Sequence, residues 1–253
     1  FAGGTVVHIN AGMAGLVLAV LVGLRLGFGK IAMRPHNVPL TMIGAGLLWF
    51  GWFGFNAGSE LAADGTAALV WVNTTVATAA AMLGWLVVER FRDGHATSLG
   101  AASGVVAGLV AITPACSALD PVGSVMLGMV AGIACAYAVG LKFRVGIDDS
   151  LDVVGVHLVG GLVGTIGVGF LATSAAPAKV DGLLHGGGLA PLWTQIIGAV
   201  TVLAYSFVMT CAIGWVLHKT LGFRVDPDTE ARGVDLGQLG DDGRVDVRHL
   251  GAD

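Results

Sequence analysis

Two histidines are the residues of this chain most able to do chemistry inside a bilayer. His157 follows three carboxylates, Asp148, Asp149 and Asp152, and lies in a run without formal charge from Val153 to Ala178. A run that long and apolar spans a membrane as a helix. At about 1.5 Å per residue the imidazole then sits below the surface. An ionisable group at such depth is costly, and it marks a functional site by default. His8 repeats the pattern: Val7-His8, Gly12 and Gly15 share the grammar V-H-x-x-x-G-x-x-G with Val156-His157, Gly161 and Gly164. Glycines four and seven residues on lie on the histidine's own face, where a neighbouring helix can approach closely. The match predicts an internal repeat with a site between its halves. Paired imidazoles can donate, accept and relay protons. Two other readings stand beside this one: histidines that merely join helices, and bis-histidine haem ligation.

The elements that must hold these groups are membrane helices. Apolar residues make up 55% of the chain and charged residues 12%, with a mean hydropathy of +0.82, as in polytopic membrane proteins. The 41 glycines suit close helix packing in lipid. Charge-free runs cover 1–24, 35–59, 65–88, 96–119, 121–141, 153–178 and 182–218. Each exceeds the roughly 20 residues needed to cross, so seven spans are predicted, the last tilted or projecting beyond the membrane. Arg25, Lys30, Arg34, Arg90, Arg92, Lys142, Arg144, Lys219 and Arg224 all fall in alternate connections. Glu60, Asp64, Asp120 and Asp181 occupy the others, with Lys179 the one basic residue there. The bias places the N-terminus outside and the C-terminus in the cytoplasm. From Gly222 the composition turns polar, which divides the chain into a membrane domain, 1–221, and a tail, 222–253.

Several functions are excluded. The net charge of −4 comes largely from the tail and implies no nucleic-acid partner. Cys116, Cys135 and Cys211 stand singly, without metal-ligand spacing. There is no HExxH, P-loop or Gly-x-Ser-x-Gly motif, so neither an enzyme nor a resident metal or cofactor is expected. The chain starts at Phe1 with no signal-peptide pattern, and it reads as a piece of a longer protein.

Three further motifs border the histidines. Leu48 to Glu60 holds Trp49, Phe50, Trp52, Phe53 and Phe55 beside Asn56 and Ser59. This is either an interfacial belt or a cation-attracting mouth. Asn73-Thr74-Thr75 suits hydrogen bonding between helices. Asp149 and Asp152 suit caps for the His157 helix.

On these residues the chain resembles the ammonium transporter family (Amt/Mep/Rh). The carrying stretches are Phe1–Gly12, Gly51–Ser59, Val72–Ala79, Thr113–Cys116 and Asp152–His157. The resemblance implies an all-α polytopic bundle of eleven helices, the first ten in two inverted five-helix repeats. It aligns this chain with the fifth to eleventh, leaving four helices upstream, and it implies a homotrimer in the cell membrane. His8 and His157 would be the twin histidines of a hydrophobic conduction pore, with ammonium deprotonated on entry. Ser59 would recruit ammonium, Phe55 would be one of two gate phenylalanines, and Leu48, Trp52 and Val153 would line the pore. Asp149 stands eight residues before His157, the offset of a family Asp that would precede Phe1. The tail keeps Glu230, Gly233 and Asp235 of a regulatory stretch that relatives present to a PII-type signalling protein. Leu239 then replaces a usual His, and the closing Ala-Tyr is absent. A sensor that binds ammonium without transport remains the alternative within this resemblance.

Overall fold

The computed structural model describes residues 1–33 and 35–234. Arg34 of the first basic loop, and Asp235 and Leu239 of the tail, lie outside the described residues. Helices follow one another as α1 (Gly4–Val22), α2 (Val38–Glu60, closing in a 3-10 turn), α3 (Gly65–Arg92) and α4 (Ser98–Ile112). They continue as α5 (Pro121–Val145), α6 (Val154–Leu171), α7 (Leu189–Thr220) and a short α8 (Pro227–Arg232). Among the described residues there is no strand.

Local chemistry sets the helix ends. Asn37, Asp64, Thr97 and Asp120 cap α2 to α5, each accepting from a backbone N–H of the first turn. Arg90 and Arg92 close α3, and Lys142 and Arg144 close α5, where cations complement the helix dipole. Gly146 ends α5 in the left-handed conformation (φ 69°) that glycine adopts without steric cost.

The core lies where α3, α4 and α5 meet at backbone distance. Gly108 faces the Cα of Thr78, and Gly128 and Gly132 face the carbonyls of Ala77 and Ala81. Any larger side chain at these positions would force the helices apart. The small core residues Ala77, Ala81, Ala107 and Ala131 are fully buried there. At the basic end, Glu89 accepts from the backbone N–H and hydroxyl of Thr97 and from the Trp85 indole, so its carboxylate ties α3 to the start of α4.

Among the described residues six helices are long and apolar enough to cross a membrane, where seven spans were expected. The difference is α4, which has 15 residues. The run 96–119 is apolar throughout, but Pro114 interrupts its helix by removing an N–H and crowding the preceding turn. The chain then makes a compact buried turn, and its carbonyls at Cys116 and Leu119 accept both N–H groups of the Asn73 amide. Non-helical backbone is tolerated at membrane depth when protein encloses it and satisfies its polar groups. α7, at 32 residues, is about 48 Å long, well beyond the hydrocarbon thickness, as expected.

Candidate functional site

α1 and α6 start alike. Each opens with a π-helical turn, Gly4–Ile9 and Val154–Leu158, and each π turn contains its histidine. Such turns are rare and concentrate at functional sites. Their glycines are used reciprocally. Gly12 of α1 lies against the backbone of Leu158, and Gly161 of α6 lies against His8 Cβ and Ile9 N. The repeat grammar is therefore a crossing, in which each half receives the other's histidine segment. α7 backs it with Ala199, packed on Ile9 and Leu158, and with Ser206, whose hydroxyl lies 2.6 Å from Asn10 Oδ1.

At the crossing the two imidazoles touch. His8 Nδ1 and His157 Nδ1 are 3.1 Å apart, so one nitrogen donates and the other accepts. His8 is fully buried, and among the described residues its Nε2 has no partner. The Trp52 indole stacks on it, with ring centroids 5.4 Å apart and planes within 9°. Phe55 presents an edge to both rings.

The expected site residues fall as follows. His8, His157, Trp52 and Phe55 converge. Ser59 lies one turn beyond Phe55 and donates its hydroxyl to the Phe55 carbonyl at 2.7 Å. Val153 sits one turn before His157 against Gly15. Leu48, one turn before Trp52, is exposed.

Of the two expected caps, only one forms. Asp149 accepts from the N–H groups of Val153 (2.9 Å) and Val154 (2.7 Å), which fixes the start of the His157 helix. Asp152 instead takes a left-handed backbone (φ 58°) and pairs with Lys142 Nζ at 2.5 Å. Burial pushes its carboxyl up, opposed by that ammonium. Beside them Asp148 accepts from Arg25 at Nε, Nη2 and the backbone N–H. The guanidinium holds the Asp148 carboxyl below the usual carboxylate range. Glu230 of α8 accepts from the Leu26 N–H at 2.7 Å and from Arg224 at 2.8 Å, and it too is depressed, chiefly by the Leu26 N–H. The start of the tail is thus tied to the end of α1.

Sequence reading left unnoticed a buried chain of hydrogen bonds behind Trp52. The indole Nε1–H donates to Thr113 Oγ1 at 2.9 Å, Thr113 lies 3.2 Å from Asn56 Oδ1, and Asn56 Nδ2 donates to Thr74 Oγ1 at 3.1 Å. Thr113 and Asn56 both lie in stretches that carried the resemblance, but their partners stand 61 and 18 residues away, so no local spacing announces them.

Crossed apolar helices around buried, paired imidazoles define a multi-pass membrane protein with its site at the repeat interface. The chain matches the model of the Ammonium Transporter Family over residues 1–244. It is 56% identical over 249 residues to a protein named ammonium transporter from Mycobacterium tuberculosis, covering 96% of this chain and 52% of the relative. The crystal structure of Candida albicans Mep2 superposes with a TM-score of 0.84 at 36% identity, covering 95% of this chain and 55% of that one. A structure described as a sensor Amt protein gives 0.86 at 32%, covering 94% and 59%. The chain belongs to the ammonium transporter family. It spans about half the length of the curated relatives it matches.

Proposed function

We propose that this chain forms the C-terminal half of an ammonium transporter, with His8 and His157 as twin pore histidines. The observation that carries the reading is the 3.1 Å contact between their Nδ1 atoms inside an apolar helix crossing. A bare ion in a medium of low dielectric faces a Born cost of tens of kcal/mol. Deprotonating an amine-like cation of pKa roughly 10 costs only about 4 kcal/mol at pH 7. Conduction therefore proceeds as neutral ammonia while the imidazole pair relays the proton, and K⁺ and Na⁺, which have no proton to shed, are refused. Ser59 recruits ammonium, Phe55 gates it, and Leu48, Trp52 and Val153 line the path. Residues 1–221 form the membrane domain and 222–253 a cytoplasmic tail, with a homotrimer as the working assembly and a PII-type protein as the tail's partner. The test compares ammonium and K⁺ currents in proteoliposomes for wild type, His8→Ala and His157→Ala. Both variants should lose proton-coupled ammonium flux, and K⁺ exclusion should weaken. Full ammonium current with intact exclusion in both would leave the histidines as packing residues.

A second reading, ammonium sensing without flux, draws on the sensor Amt neighbour. Saturable ammonium binding by a protein that passes no current would favour it. Haem ligation is disfavoured by the same contact: nitrogens sharing a metal at about 2 Å each stand about 4 Å apart.

A further inference from the structure

We infer that Thr113 and Asn56 are positioning residues: they aim the Trp52 indole, and the indole holds the plane of the His8 ring in which its Nδ1 meets His157. The inference rests on the pore reading above.

It starts from a torsion. The χ2 of histidine is a broad, roughly two-fold rotation, so neither the backbone nor a staggered well decides which edge of the ring faces a partner. The π turn puts His8 at the crossing, but something else must fix the ring. The Trp52 plane, within 9° of the imidazole plane, does this on one face, and the edge of Phe55 supports it. A ring held flat against an indole cannot rest at an intermediate χ2 without prising the indole away, so its plane is fixed, and of the two flips that share this plane the contact with His157 selects the one that presents Nδ1.

The indole must then be held in its turn. Trp52 belongs to a buried apolar cluster with Val105, Leu109 and Val110, whose contacts are not directional. Only its N–H is directional. That N–H donates to Thr113 Oγ1. The hydroxyl has a single proton, shared between the Leu109 carbonyl at 2.8 Å and Asn56 Oδ1 at 3.2 Å. Asn56 passes the order on through Nδ2 to Thr74 Oγ1. Trp52 to Thr113 to Asn56 to Thr74 is a head-to-tail series of donors, in which each bond polarises the next. Asn56, Thr74 and Thr113 are fully buried, where an unmade hydrogen bond is expensive, so the series tolerates few rotamers. Its end near the site is Trp52, flat on His8.

Pro114 supplies the geometry. By ending α4 it leaves Thr113 as the residue that caps its C-terminus, within hydrogen-bonding distance of Trp52 and Asn56 of α2. The interruption that makes α4 short thus also places the hydroxyl.

The experiment uses the intact protein in nanodiscs and proteoliposomes, with Thr113→Val, Thr113→Ser, Trp52→Phe and the Thr113→Val/Trp52→Phe double variant. Thr113→Val keeps the shape and removes the hydroxyl, Thr113→Ser keeps the hydroxyl, and Trp52→Phe keeps an aromatic plane but removes the tether. Two quantities are read: the ring ¹⁵N shifts of His8, which report the tautomer and bonding of each nitrogen, and ammonium flux. Thr113→Val and Trp52→Phe should each move the His8 shifts and lower flux on the order of tenfold, as misplacement of a reacting group does. The double variant should be no worse than either single, because both cut one series. Thr113→Ser should restore wild-type shifts and flux. If Thr113→Val does not fold, Trp52→Phe against wild type decides on the shifts alone. Unchanged His8 shifts in the folded single variants overturn the inference, as does a strictly additive double variant. A wild type that passes no ammonium sinks the pore reading instead, while the shifts still decide the positioning.

Discussion

Replacing Gly12 by Ala tests the crossing most directly. A Cβ built on Gly12 would meet the Leu158 backbone, with its Cα only 2.6 Å away, whereas ordinary contact begins at 3.4 Å. The obstacle is main chain on a packed helix, with the Leu158 N closer still, so no rotamer change relieves it, and α1 and α6 must separate by about 1 Å. Overpacking of this kind costs about 1–3 kcal/mol. Carried to the histidines, the displacement takes the 3.1 Å contact to about 4.1 Å, outside hydrogen-bonding range. Gly161→Ala should be milder, because its Cβ would meet His8 Cβ at 3.0 Å and Ile9 N at 3.1 Å, and a few tenths of an ångström suffice. Gly198→Ala on α7 meets nothing within 4 Å and serves as the control. Thermal unfolding in detergent and ammonium flux should rank Gly12→Ala as most damaged, Gly161→Ala next and Gly198→Ala unaffected. A Gly12→Ala protein indistinguishable from Gly198→Ala in both measurements would refute the reciprocal packing.

Two further outcomes follow from the charged end of the bundle. Asp149→Ala removes the acceptor for the Val153 and Val154 N–H groups and should cost about 0.5–2 kcal/mol. Faster amide exchange at those two residues than in an Asp152→Ala control would check it, and equal exchange would refute the cap. Asp148 has its carboxyl depressed by Arg25, so its stabilisation is complete above its ordinary pKa and is lost as pH falls through the folded value. Melting temperature should therefore stay flat from neutral pH to about 5 and fall below about 4. Asp148→Asn should reduce that acid limb to the part that Glu230 and the other depressed carboxyls contribute, and an unchanged limb would sink the assignment.

Much of the architecture could be read directly because hydrophobicity is local. The charge-free runs and the repeated V-H-x-x-x-G-x-x-G stretch predicted where helices cross the bilayer and which two would meet. The helix of the fourth run is shorter than the run because hydropathy records burial, not helicity: 113–119 is as apolar as a helix yet turns back on itself, held by an asparagine some 43 residues upstream. Asp149 as a cap was legible from the carboxylate before a helix. Asp152 was not, since its left-handed backbone and its Lys142 partner arise from the fold around it. The Trp52 to Thr74 series joins three helices and could appear only once they were packed.

The π turns have a consequence for insertions and deletions. A π turn accommodates one residue more than an α-helical turn, and each residue of an α-helix rotates the chain by about 100°. The extra residue in Val154–Leu158 therefore sets the phase between the cap at Asp149 and the glycine seam at Gly161 and Gly164. With one residue fewer between that turn and Gly161, everything downstream would swing about a quarter-turn and show Leu162 and Thr165 to α1 where glycine now lies. The same holds between Gly4 and Gly12 in α1. Along these two segments the spacing in the chain is therefore as constrained as the identity of the histidines.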